Sequence, residues 1–293
     1  MQNPFRHLWR LIKAVLVRIA DGNYGMIAAG VAFYAMFAVF PGISAVVAIW
    51  GMVADPVVIA GYLDVVERFL PPEAGELIHA QVMGLINAPR STLGWATILS
   101  LAVALYSARN GVAALIQGLD VVHRVERRGW VAGYAREFAL TFALIGALMA
   151  ALATVVIVPV IFARIDFLQM TPLMTRALPW VAMFALVLGC LAILFRFGPN
   201  LPSGTHYSFF SVGVIFTALA WAGVSMGFSL YLENFNSYNR IYGSIGAVII
   251  LMMWLYLSVW AVLVGGAINA ELEARARLLR QMGRLRRAKA ERA

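Results

Sequence analysis

The side chains that could do chemistry in this 293-residue chain are few and scattered. His7, His79, His123 and His206 fall on four separate segments, and Cys190 is a single cysteine in an apolar run. A zinc site draws its ligands from short, regular spacings, and a hydrolytic site adds a general acid or base beside the metal. No His-x-His, His-Glu-x-x-His or Cys-x-x-Cys spacing occurs. The Gly-rich loop ending in Lys-Ser/Thr that cradles nucleotide phosphates is absent, as is the Gly-x-Ser-x-Gly elbow of serine hydrolases. The residues therefore read as those of a non-enzyme with no metal and no cofactor, and Cys190 as a small apolar filler.

Arg109 asks for an explanation. It falls in the apolar run 93–121, and a charge in mid-membrane costs at least ~2.5 kcal/mol unless it is paired or faces water. Asp120 lies near the same helical azimuth but three turns away, too far for contact within one helix. A counter-charge must come from another span, for which Asp120 or Glu271 of a neighbouring element is a candidate, or from a lipid phosphate. The plainer reading is that Arg109 snorkels to the interface. Around it, Ser107, Asn110, Gly111, Ala114, Gln117 and Gly118 form a small and polar stripe. Such a stripe lets helices approach closely, or walls a polar cavity. Arg109, Ser107, Asn110 and Gln117 are thus candidate lipid or substrate contacts. A second group, Tyr238, Asn239, Arg240 and Tyr242, lies in a stretch dense in Tyr and Asn that suits headgroup level. Pro41-Gly42, inside an apolar run, is a candidate hinge, because Pro removes one helical hydrogen bond.

The elements that position these residues follow from composition. Of the chain, 62% is hydrophobic and 13% charged, against roughly 45–50% and about 25% in soluble domains. There are too few charges to cover a soluble surface, so the solvent is largely lipid. A span needs roughly 20 apolar residues, and the runs 28–53, 93–121, 138–161, 179–197, 209–232 and 243–270 predict an all-α polytopic membrane protein of about six spans. Residues 1–27 predict an interfacial amphipathic segment, with Phe5, Leu8, Trp9, Ile12, Leu16 and Ile19 on one face and Arg6, Arg10, Lys13 and Arg18 on the other. Residues 28–272 form the membrane domain. Its insertion 56–88 is too polar to span and splits at Pro71-Pro72 into two short outer helices, the first opened by Asp55-Pro56. Residues 273–293 form a basic tail. Gly223 and Gly227 have the spacing of a helix-packing pair.

The net charge of +9 would suggest nucleic acid in a soluble protein, but here it is distributed by topology. Arg6 to Arg18, Arg124 to Arg136, Arg196 and the run Arg275 to Arg292 fall on one set of segments. Only Arg68, Arg90, Arg164, Arg176 and Arg240 fall on the alternate set. The excess of Lys and Arg on cytoplasmic loops predicts both termini in the cytoplasm of a multi-pass plasma-membrane protein. No cleavable signal peptide is predicted. The partners are membrane lipids, with no nucleic acid.

Three blocks carry a resemblance: the run 28–41 ending in Phe40-Pro41; Tyr106-Ser107-Ala108-Arg109-Asn110-Gly111; and Tyr238-Asn239-Arg240-Ile241-Tyr242-Gly243-Ser244-Ile245-Gly246-Ala247, followed by Trp254-Leu255-Tyr256 and Gly265-Gly266-Ala267-Ile268-Asn269-Ala270-Glu271-Leu272. Over residues 20–273 the chain resembles the YihY/virulence factor BrkB family of bacterial inner-membrane proteins. The resemblance implies six spans with both ends inside. It also implies a role in serum resistance or envelope integrity, or in transport of lipid or lipopolysaccharide precursors. In a transporter the outer amphipathic helices would meet periplasmic lipid-carrying proteins as partners. A ribonuclease BN label attaches to the family, but the residues offer no acid–base or metal cluster for it. Ala267 departs from the Glu that many members carry there. A non-transporting membrane scaffold is the rival reading.

Overall fold

Helix propensity and unbroken apolar runs produce helices, because lipid offers no partner for an unpaired backbone group. The computed structural model describes residues 4–51, 72–86, 93–164, 172–202, 208–233 and 237–290. Within them lie eight helices: α1 (Pro4–Asp21), α2 (Tyr24–Gly51), α3 (Pro72–Ile86), α4 (Leu93–His123), α5 (Trp130–Arg164), α6 (Pro172–Phe197), α7 (Val212–Glu233) and α8 (Ser237–Ala290). There is no strand among the described residues. The protein is an all-α polytopic membrane protein. Five described stretches are long and apolar enough to cross a bilayer: Tyr24–Ile43, Ile98–His123, Trp130–Ala150, Val212–Tyr231 and Val248–Met282. A shorter apolar stretch, Val181–Phe197, lies on α6, itself 26 residues long.

Several boundaries differ from those read in the sequence. α2 runs unbroken through Pro41-Gly42. The third span begins at Trp130 rather than near residue 138, so Tyr134, Arg136 and Glu137 are helical. Gly129 opens that helix, its carbonyl accepting from Gly133 N at 2.8 Å. The last helix begins at Ser237 rather than near residue 243, so the expected Tyr- and Asn-rich loop is mostly helical backbone. The side chains of Tyr238, Asn239, Arg240 and Tyr242 lie outside the described residues, as do Asp55-Pro56 and the first of the two short outer helices. α8 is 54 residues long. At 1.5 Å per residue that is roughly 80 Å, far more than a hydrocarbon core of about 30 Å, so the basic tail continues the last span as helix.

Packing is concentrated at one end of the bundle. The largest core cluster joins Val15 of α1, Tyr24 and Ala28 of α2, Leu119 and Val122 of α4, Leu191 and Phe195 of α6, Val214 and Ala218 of α7, and Leu263 and Ala267 of α8. Most Arg-bearing segments meet here, so this is the basic end. α1 is tied to it by Arg18, whose Nη1 donates to the Val122 carbonyl at 2.7 Å and whose Nη2 meets Glu271 Oε2 at 3.3 Å. The periodicity of α1 puts Arg18 on its polar face. The side chain instead turns inward beside Leu11 and Val15, whose azimuths it nearly shares, while Trp9, Ile12 and Leu16 remain exposed. Asn23, at φ 50°, makes the turn into α2, a left-handed backbone that Asn tolerates. Its carbonyl accepts from Met26 and Ile27 N.

Small residues set the helix spacings. A Cβ on Gly118 would lie 2.8 Å from both Ile27 of α2 and Leu263 of α8, and Gly111 lies against Tyr34 and Ala35. The α7–α8 crossing is tighter still. A Cβ on Gly213 would fall 2.2 Å from the Gly265 carbonyl, and one on Gly265 would fall 1.8 Å from Thr217 Oγ1. Asn269, buried in this contact, accepts from Gly213 N at 2.8 Å and donates to Ser211 Oγ at 2.8 Å. It thereby satisfies an orphan donor at the start of α7. Gly223 and Gly227, the pair expected at a close crossing, would have nothing within 4 Å of an added Cβ. The face of α7 that does touch α8 there carries Trp221 and Ser225, and Ser225 Oγ accepts from Trp254 Nε1 at 3.1 Å.

Away from the basic end the bundle loosens. From Phe142 to Ala150 on α5 and from Val181 to Cys190 on α6 no side chain is buried. Ile98, Leu99, Leu101 and Val103 on α4, and Leu219 and Met226 on α7, are exposed too. On α5 and α6 the buried side chains among those described thus lie at the basic end, from Glu137 to Thr141 and from Leu191 to Phe195, with Val187 and Leu188 half-buried against the same core.

Candidate functional site

Arg109 and Glu137 form the polar centre of the region where α4 meets α5. Starting α5 at Trp130 puts Tyr134, Glu137 and Phe138 at positions i+4, i+7 and i+8, on one face of that helix. Arg109 Nη2 donates to Glu137 Oε2, and the two side chains are 12% and 7% exposed. Arg109 Nη1 donates to Asn110 Oδ1 at 3.0 Å. The guanidinium carbon stands 4.0 Å from the Tyr134 ring centre and 5.9 Å from that of Phe138. Arg109 Nε is buried with no acceptor. The arginine therefore takes a carboxylate partner from a neighbouring span. That partner is Glu137, not Asp120 or Glu271. Glu271 meets Arg18 and, at 3.1 Å, Arg275.

Asp120 belongs to a neighbouring arrangement at the end of α4. Its Oδ1 accepts from Asn200 N at 2.7 Å. Asn200 sits in the turn after α6, donates from its side chain to the Glu126 carbonyl at 2.9 Å and accepts from Arg128 Nε at 2.9 Å. α4 ends in a left-handed residue, Arg124, at φ 53°. Val125 N returns to the Asp120 carbonyl at 3.1 Å, a Schellman-type closure. This turn carries Arg127 and Arg128 back towards α5. The result is a small recess lined by Ile116, Asp120, Arg127, Arg128, Gly133, Arg136, Glu137, Gly198 and Asn200. Glu137 faces both arrangements, since its Oε1 lies 3.7 Å from Arg127.

Of the stripe on α4, Ser107, Gly111 and Gly118 are buried, and Asn110 and Gln117 are half-buried. The glycines serve close packing, and only Asn110 is drawn into the Arg109 arrangement. Sequence reasoning passes over Glu137 because it places the residue before the span. The available signal is the aromatic and charged series Trp130, Tyr134, Glu137 and Phe138 at helical spacing. Among the described residues no group of three His, Cys, Asp or Glu side chains could hold a metal ion.

Apolar helices with little buried surface, a basic end and an ion pair between spans define an integral membrane protein of the multi-pass helical class. The chain belongs to the virulence factor BrkB family, whose model it matches over residues 15–290. It is 28% identical over 224 residues to a protein of Bacillus subtilis (strain 168) named putative ribonuclease-like protein YfkH, a match covering 74% of this chain and 78% of that protein. It is 31% identical over 102 residues to a UPF0761 membrane protein of Xanthomonas campestris pv. campestris (strain B100), and to one of Xanthomonas axonopodis pv. citri (strain 306). Those two matches cover 32% of this chain and only 24% of each relative. No solved structure matches the chain.

Proposed function

We propose that this protein moves lipid, or another amphipath, across or out of the bacterial inner membrane, with its basic end in the cytoplasm. The observation that carries the reading is Arg109. It is paired but keeps one buried, unused donor, and exposed apolar side chains stand on the same two helices, Val103 and Tyr106 on α4 and Phe138 and Phe142 on α5. An acyl chain can lie against uncovered apolar helix faces, while a headgroup needs a desolvated donor. A guanidinium serves a phosphate or carboxylate bidentately. Pro41-Gly42 would give the flexibility for passage, and α3 would meet a periplasmic lipid-carrying partner. The positive-inside rule supports the orientation.

The scaffold reading is favoured by a different observation, the close packing of α2, α4 and α8 at Gly111 and Gly118. Reconstitution separates the two. Vesicles holding the purified protein and a fluorescent phospholipid should exchange that lipid between leaflets faster than protein-free vesicles, and Arg109→Gln should slow the exchange. Equal rates with and without protein would leave the scaffold. The name of the Bacillus relative raises ribonuclease activity, and among the described residues no group of three His, Cys, Asp or Glu side chains could hold a metal ion for it.

A further inference from the structure

The recess between the end of α4, the turn 124–129, α5 and the turn after α6 shares Glu137 with the Arg109 arrangement, and its charges do not balance. Arg127, Arg128 and Arg136 line it against Asp120 and Glu137. Glu137 is already held by Arg109. Asp120 is the one lining carboxylate left to answer three guanidiniums, and it is engaged by Asn200 N. Arg128 spends only Nε, on Asn200, and Arg127 stands at ion-pair distance from Glu137 without a hydrogen bond. Arg136 is half-buried and makes no hydrogen bond or ion pair among the described residues. Three forked donors from two elements thus line one small recess.

We infer that this recess is a binding site for a phosphate monoester dianion, held by Arg128 and Arg136, with Arg127 turning to it from Glu137. A dianion matches the uncompensated positive charge better than a phosphodiester, which carries one negative charge. Guanidinium forks suit its several oxygens. The source of the phosphate is either a lipid headgroup such as that of phosphatidic acid, reached from the interface, or a free phosphate. This goes beyond the transport reading: binding is measured at equilibrium, so a protein that fails to move lipid can still pass the test, and the reverse.

The test uses the full chain in nanodiscs of phosphatidylcholine doped with phosphatidic acid or with phosphatidylglycerol, and in detergent with inorganic phosphate. Affinity is read by lipid retention in native mass spectrometry and by thermal stabilisation. Phosphatidic acid should be preferred to phosphatidylglycerol. Arg136→Gln and Arg128→Gln should each weaken that preference about tenfold, the effect of losing one charge-assisted fork. Arg136→Lys, which keeps the charge, should be intermediate and serves if the Gln variant folds poorly. Arg280→Gln, exposed on the tail, should leave the preference unchanged. Stabilisation by inorganic phosphate in detergent identifies a free anion as sufficient, and stabilisation by phosphatidic acid alone identifies the headgroup. The inference is overturned if neither phosphate source is preferred, or if Arg136→Gln and Arg280→Gln weaken binding equally, since that pattern is the tail's general attraction to anionic surface.

Discussion

Replacing Arg109 by glutamine removes a guanidinium from a contact in which the acid is only 7% exposed. Removing one partner of a buried pair costs about 3–5 kcal/mol, because the other charge is left uncompensated. Interhelical polar contacts in membranes give smaller couplings, on average about 0.6 and at most about 1.7 kcal/mol. Here Glu137 keeps Arg127 at 3.7 Å as a partial substitute, which lowers the cost. Against that, the contact of Arg109 with the Tyr134 ring at 4.0 Å is lost too, worth about 1 kcal/mol. The expected loss is about 3 kcal/mol, or a melting temperature roughly 6–12 °C lower. Arg109→Lys keeps the charge, loses the fork and should fall between. Adding Glu137→Gln to Arg109→Gln removes the orphaned acid and should restore about 1–2 kcal/mol of the loss. Tryptophan fluorescence during heating of the purified protein in detergent reads all of these variants against the parent. Unchanged melting of both single variants would show that the charges are satisfied by snorkelling and water. Additive losses in the double variant would show that they do not act as a pair.

Gly265→Ala should destabilise by about 1–3 kcal/mol or more through overpacking against Thr217 and the Gly213 carbonyl, whereas Gly223→Ala, with open space around it, should melt like the parent; equal behaviour of the two would refute the α7–α8 crossing. Arg18→Ala should free α1, since it loses both the Val122 carbonyl and Glu271, and limited proteolysis should then cut before Tyr24 faster than in the parent. Cysteine tags at Arg10 and Arg286 should label only from the cytoplasm and one at Ala74 only from outside, and an external Arg286 would sink the orientation. Nuclease-free protein should leave RNA intact with Zn²⁺, Mg²⁺ or Mn²⁺ added, and metal-dependent cleavage abolished by a point substitution in this chain would prove the opposite.

Composition and apolar run length were enough to settle the solvent and the class. Long apolar runs with few charges can be satisfied only in lipid, and there the backbone must be helical, so the all-α polytopic fold followed from composition and run length. Alternating Lys and Arg likewise grouped the segments now seen joined at the basic end by Arg18–Glu271 and Arg128–Asn200. What the sequence left open were contacts between helices, because periodicity gives the face of a helix and not its neighbour. Arg109 was legible as a charge in need of a partner, but a lipid phosphate, a carboxylate such as Asp120 or Glu271, and snorkelling to the interface all stayed open, and Glu137 was hidden by a helix start placed about eight residues late. Gly223 and Gly227 have the spacing of a packing pair, yet the crossing occurs at Gly213 and Gly265, where Asn269 fixes the register of α7 on α8. The recess of Arg127, Arg128 and Arg136 has no linear signature at all. It exists because a left-handed Arg124 folds one turn back over α5, while Asn200, eighty residues from Asp120, closes the other side.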